Sequence, residues 1–273
     1  MYKRQVRYRR LLVVLTLLQI TLGAILLVFR AVAIRAIPVT CVFESMVLLL
    51  VIIGVTFLIL SAFIHQVWFL SIMVWVLFVI AILAAMVAKP AADLQEAAKS
   101  PWAIIHALTM VLSGAMIVFS AAMSILFIWS QQRLKSGRFM TLFGKMPTIE
   151  KLEKLMLFGL HLGFAGMTFG LLSGIGLVAG KTAQLGMTFG DWLTDSKIVL
   201  IFIAWFLLLG VLVMRRFLAW SGKTVAQATL IICFLILFAF IGSQIFCKSS
   251  HDFGVESSAS GRLNYYDDCS DRC

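Results

Sequence analysis

The chain has 273 residues, 62% of them hydrophobic and 13% charged, with a formal net charge of +11. An ordinary soluble domain carries about 25% charged residues, and a single core cannot hide this much apolar surface without leaving large exposed patches. A water-soluble globular fold is therefore excluded. The basic balance does not point to nucleic acid, because the basic residues bracket apolar runs and form no recognisable binding module.

Seven uncharged runs follow one another along the chain, at residues 11–29, 46–64, 67–88, 102–129, 155–180, 198–214 and 225–247. Crossing the hydrocarbon core takes about 20 helical residues at 1.5 Å each. The runs lack the short alternation of barrel strands, so each predicts a transmembrane helix. The first run follows the basic residues from Lys3 to Arg10 and precedes Ala31-Val32-Ala33, an outline shared with signal peptides. It is 19 residues long, whereas a signal-peptide core has about 7–15, so it reads as an uncleaved first helix. The expected fold is an all-α integral membrane bundle of about seven transmembrane helices over residues 1–247, with a polar, disordered tail over 248–273.

Charge sets the expected orientation. With the N-terminus cytoplasmic, the inner segments are 1–10, the turn at His65-Gln66, 130–154 and 215–224. They hold 14 of the 23 Lys and Arg residues, and of the 12 acids only Glu150 and Glu153. Lys and Arg beside helix ends resist translocation, so the expectation is N-terminus in, C-terminus extracytoplasmic, in an inner (plasma) membrane. The basic 130–154 segment suits a surface of anionic lipid. Within it, Pro147 followed by Thr148 predicts a helix start capped by Thr148.

Only four histidines occur, and the topology sorts them into an outer pair, His106 and His251, and an inner pair, His65 and His161. Neutral imidazole is an axial ligand for haem iron, and two from different helices would hold a haem between them. The alternative for each is an interfacial side chain that satisfies a neighbouring helix. Cys269 and Cys273 fit neither a redox pair nor a haem-attachment motif, and stand as a disulfide or as free thiols in the outer tail. Cys41, Cys233 and Cys247 read as small apolar residues. The spans contain no charged residue, which weighs against an ion-coupled transporter. Glu44, just before the second helix, is the nearest case of such a charge, and reads equally as a solvated or headgroup residue. Gly159, Gly163, Gly166, Gly170 and Gly174 form a small-residue face suited to close helix packing.

Four stretches carry a family resemblance. Ser100-Pro101-Trp102-Ala103-Ile104-Ile105-His106 opens the fourth helix, and Met146-Pro147-Thr148-Ile149-Glu150-Lys151-Leu152 opens the fifth. Gly163-Phe164 through Met167-Thr168-Phe169-Gly170 and on to Ser173-Gly174 lies within the fifth. Phe189-Gly190-Asp191-Trp192-Leu193-Thr194-Asp195-Ser196-Lys197, then Trp205 and Arg215, resembles a tryptophan-rich outer loop and the helix after it. Weaker echoes are Phe43-Glu44-Ser45 and His251-Asp252-Phe253. In this order they resemble the cytochrome c assembly family, the CcsA- and CcmC-like haem-handling membrane proteins, with the YpjD/HemX-like group nearest.

The resemblance implies a haem site at the extracytoplasmic face. In it His106 and His251 would ligate the iron, Trp192 would stack on the porphyrin, and Gly190 would let backbone approach the ligand. Asp195 would stand at the loop–helix junction, where an N-cap role is expected in any case. His65 and His161 are weaker candidates for receiving haem from the cytoplasmic side. The chain departs from the family pattern where Phe189 and Thr194 take tryptophan places, and where Val213 falls at a further histidine. The implied function is binding or presenting haem in cytochrome c biogenesis, as a carrier or chaperone subunit beside a maturation partner rather than a stand-alone enzyme. A HemX-like regulator or structural subunit without tight haem binding is the alternative, and a small-molecule transporter a third.

Overall fold

The computed structural model describes residues 2–34, 42–63, 67–86, 101–135, 148–185 and 189–239. Among them there is no strand, and the helices in chain order are α1 (Tyr2–Ile34), α2 (Val42–Phe63), α3 (Val67–Met86), α4 (Pro101–Lys135), α5 (Ile149–Leu185), α6 (Phe189–Thr194), α7 (Ser196–Phe217) and α8 (Gly222–Leu237). The all-α membrane architecture expected from composition is what the chain adopts. Four helices are long and apolar enough to cross a bilayer, over Arg7–Ala33, Pro101–Gln132, Ile149–Ala179 and Ile198–Phe217. Shorter apolar stretches in α2, α3 and α8 complete the bundle among the described residues.

Several helices outrun their apolar runs, because hydropathy marks hydrocarbon while backbone hydrogen bonding continues past it. The fifth apolar run starts at Leu155, yet α5 starts at Ile149. Thr148 caps it: its Oγ1 accepts from the Lys151 N–H at 3.3 Å and its carbonyl from the Leu152 N–H at 3.2 Å, which satisfies donors that have no partner inside the helix.

The core is built around α4, which packs along α5 and against α2 and α8. Met73, Ile117, Met123, Met156, Leu160 and Leu208 are among its fully buried side chains. Outward-facing Phe29, Trp75, Phe169, Phe206 and Phe234 are exposed, a liability in water and an ordinary surface in lipid.

The α4–α5 pair has a regular register. Ser120 Oγ donates to the Met156 carbonyl at 2.8 Å, Ser113 Oγ to the Gly163 carbonyl at 2.6 Å, and His106 Nδ1 to the Gly170 carbonyl at 2.7 Å. Donors recur every seven residues on α4 and acceptors every seven on α5, so successive rungs are about 10 Å apart along the helices. Glycines allow the approach. A Cβ at Gly159 would lie 3.0 Å from the Met116 carbonyl oxygen, and one at Gly163 would lie 2.7 Å from Ile117 Cγ1. Close packing of this kind is how membrane helices associate without a hydrophobic drive between them.

Polar ties close the two ends of the bundle. At one end Arg9 donates to the Ser61 carbonyl at 3.2 Å. At that same end Arg215 donates to Glu153 and to the Trp220 carbonyl, pinning the α7–α8 turn in which Ala219 adopts a φ of 50°. At the other end Arg30 Nε meets Glu44 Oε1 at 2.6 Å. Glu44 is therefore not the solvated or headgroup residue that its place before the second apolar run suggests. It lies in the first turn of α2 and is 1% exposed. The reason is that α1 continues through Arg30 to Ile34 and delivers a cation to it.

Candidate functional site

His106 is the end rung of the α4–α5 ladder. A carbonyl oxygen only accepts, so Nδ1 carries the proton in the bond to Gly170, and in the neutral form of the ring the basic lone pair is then that of Nε2. An imidazole whose Nδ1–H is held by a carbonyl is the arrangement that orients a histidine toward a metal through its other nitrogen. The Gly170 carbonyl also accepts from Ser173 Oγ at 2.9 Å. The ring lies against Gly174, where a Cβ would come within 3.0 Å of its Cε1 and Nδ1. Trp102, one turn earlier on α4, lies over Gly176.

Gly174 thus makes room for the imidazole, and a branched side chain there has to displace it. In Gly174→Val the His106–Gly170 bond is expected to break, at a loss of about 1 kcal/mol. Nitrogen-15 NMR of labelled histidine checks this: the Nδ1–H tautomer of the wild type gives way to a mixture.

At the same end α6 packs on α5 and α7. Gly190 is exposed in α6, and its carbonyl accepts from Thr194 Oγ1 at 3.1 Å. Trp192 lies in α6, with its side chain outside the described residues. Asp195 joins α6 to α7, is 8% exposed, and accepts the Val199 N–H on its carbonyl at 3.0 Å. That bond makes it the N-cap of α7. Trp205 fixes α7 against α5: its Nε1 donates to Thr168 Oγ1 at 2.9 Å, and its ring stacks on Phe164 with centroids 5.5 Å apart.

The fold therefore brings His106, Gly190, Trp192 and Asp195 to one end of the bundle. His251 and His65 lie outside the described residues, as do Cys41, Cys247, Cys269, Cys273 and the 248–273 tail. His161 does not join His106. It is exposed on α5 and donates from Nδ1 to its own helix at the Leu157 carbonyl, 2.7 Å away. In the ladder register it is level with Ala115, nine residues from His106, or about 13 Å along the axis. Cys233 is buried in α8, as a small apolar residue would be. No group of three or more His, Cys, Asp or Glu that could hold a metal ion occurs among the described residues.

Gly170 and Gly174 were legible as packing residues and as part of the fifth-helix motif, not as partners of His106. Their service to His106 depends on a register that brings together residues 64 positions apart on two helices. The Arg30–Glu44 pair was missed because each residue stood beside a different apolar run.

The model of the Cytochrome C assembly protein family matches residues 39–251, from just before α2 to His251. The chain belongs to this family. The family match covers α2 to α8, so His106 and the α6–α7 junction both lie within it. Among relatives, the Cytochrome c biogenesis protein CcsA of Prochlorococcus marinus is 25% identical over 184 residues. That alignment covers 61% of this chain and 58% of the relative, so the chain spans less than two thirds of the relative's length. No solved structure matches the chain.

Proposed function

We propose that the chain is a membrane haem-handling protein of cytochrome c biogenesis that binds or presents haem at the extracytoplasmic face. The observation that carries this reading is His106 in a cytochrome c assembly family chain, its Nδ1 held by Gly170 and its ring accommodated by Gly174. These residues suit the group: the imidazole of His106, pinned through Nδ1, would supply one nitrogen ligand to the iron, and His251 would be the second in this reading. Trp192 would stack on the macrocycle, Gly190 would leave backbone open to it, and Asp195 would hold the junction between α6 and α7. The haem itself supplies the iron and the vinyl groups used in cytochrome maturation. The chain's own part is to hold and orient it beside a maturation partner.

The orientation belongs to the same proposal. The N-terminus is cytoplasmic, the His106 end is extracytoplasmic, and the membrane is the inner (plasma) membrane. The excess of Lys and Arg at the Arg9–Arg215 end supports it.

Purified protein in detergent is expected to show a bis-imidazole haem spectrum, lost in both His106→Ala and His251→Ala. Colourless protein that takes up no added haem would sink the proposal. The second reading, a HemX-like regulator or structural subunit, is favoured by Phe189 and Thr194 standing in place of tryptophans. It requires that deleting the gene leave cytochromes c intact.

A further inference from the structure

Arg30 behaves unlike a cation at the end of a lipid-facing helix. Such side chains extend toward the interface to keep their charge hydrated. Arg30 instead gives its Nε to Glu44, a carboxylate that is 1% exposed, at 2.6 Å. The arginine remains 24% exposed. Among the described residues Glu44 is the acceptor bonded to Arg30. One edge of the guanidinium is thereby fixed, and the remaining donors of its planar fork are directed by that bond.

The pair is not needed to bring α1 and α2 together, because Gly23 already lies against Val51 and Val47 and Gly54 against Gln19 and Ile20. Withdrawing the Glu44 charge and part of the Arg30 charge from water is costly, and the pair is weak evidence for a purely stabilising role. Its position suggests another use. Leu49 of α2 meets Gly114 of α4 at 3.8 Å from the built Cβ position, and both helices begin at the same end of the bundle. Glu44, five residues before Leu49, is therefore level with Thr109, five before Gly114. His106 lies three residues further out, about 4.5 Å along the axis. An oriented cation and an oriented imidazole thus sit at one end, at nearly one depth, with α2 and α4 packed together.

We propose that Arg30, oriented by Glu44, anchors an acidic substituent of the molecule carried at the His106 end, namely a propionate of the tetrapyrrole. The inference rests on the haem reading above. A guanidinium fork matches a carboxylate in geometry and charge, and the propionates of a haem project from one edge of the macrocycle, to the side of an axially ligated iron. Glu44 is then a positioning residue that holds the fork in place.

Purified full-length protein is titrated with ferric haem and with its dimethyl ester, and binding is followed by the Soret band. The wild type is expected to bind the free acid at least about tenfold more tightly than the ester. In the charge-free pair Arg30→Gln with Glu44→Gln, both forms should bind equally, near the wild type's affinity for the ester, with the imidazole-ligated spectrum unchanged. Equal wild-type affinity for acid and ester overturns the inference and leaves the haem reading standing, as does full discrimination by the double variant. Uptake of neither form by the wild type overturns both. The ester comparison needs no variant, so a misfolded double variant cannot leave the question open.

Discussion

Gly159→Leu is expected to dismantle the α4–α5 contact and destabilise the bundle by about 3 kcal/mol or more. In a helix the substitution by itself is favourable, since glycine is the poorer helix former by up to about 1 kcal/mol. Packing reverses the sign. The first added carbon would lie 3.0 Å from the Met116 carbonyl oxygen, 3.0 Å from Ser120 Cβ and 3.1 Å from Phe119 Cδ1. The first of these belongs to backbone and cannot rotate away, so the helices must part, and the Ser120–Met156 and Ser113–Gly163 bonds part with them. Thermal unfolding in detergent should show a clearly lowered midpoint. Gly210→Ala in α7, where nothing lies within 4 Å of the added carbon, serves as the control and should leave the midpoint unchanged or raise it. An unchanged midpoint in Gly159→Leu would mean that α4 and α5 are not held at this distance.

The second large effect is expected at the Arg30–Glu44 pair. Removing one member, in Glu44→Leu or Arg30→Met, takes the ion-pair partner from the other, and for the carboxylate, which is 1% exposed, the expected cost is about 3–5 kcal/mol. Removing both together is expected to be close to neutral, because the desolvation of both ions disappears with their attraction. A double-mutant cycle on unfolding midpoints measures this as a large coupling. The Glu150–Lys154 pair offers the contrast. Its side chains are 75% and 74% exposed, and screened pairs of that kind contribute little. A coupling at Arg30–Glu44 as small as that of the surface pair would show that water reaches Glu44.

What could be foreseen divides along a physical line. Hydrocarbon thickness imposes the length of an apolar run, so the all-helical membrane bundle was readable from composition and run length. Helix ends were not, because a helix continues wherever its backbone bonds continue. Thr148 and the α5 start at Ile149 mark one such extension, and α1 reaching Ile34 marks another. His106 was readable as a candidate through its neighbours Ser100, Pro101 and Trp102 and the order of motifs. Its partner Gly170 and its packing surface Gly174 were not, since nothing local in either helix says which face meets which. The glycine stripe was expected to pack helices closely, and it does. Glu44 was left between two readings for a related reason: an acid just outside an apolar run can be solvated or buried, and the cation that decides comes from another helix.

The seven-residue recurrence of His106, Ser113 and Ser120 turns chain length into part of the site. One residue inserted between His106 and Ser113 would rotate the imidazole by about 100° around α4 and aim it away from the Gly170 carbonyl. A full seven-residue unit would return it to nearly the same face. Side chains on the lipid-facing side of the hairpin can therefore drift in identity with little consequence, whereas the number of residues between rungs cannot. An alignment that tolerates gaps inside α4 or α5 would lose the one property that keeps the histidine in phase.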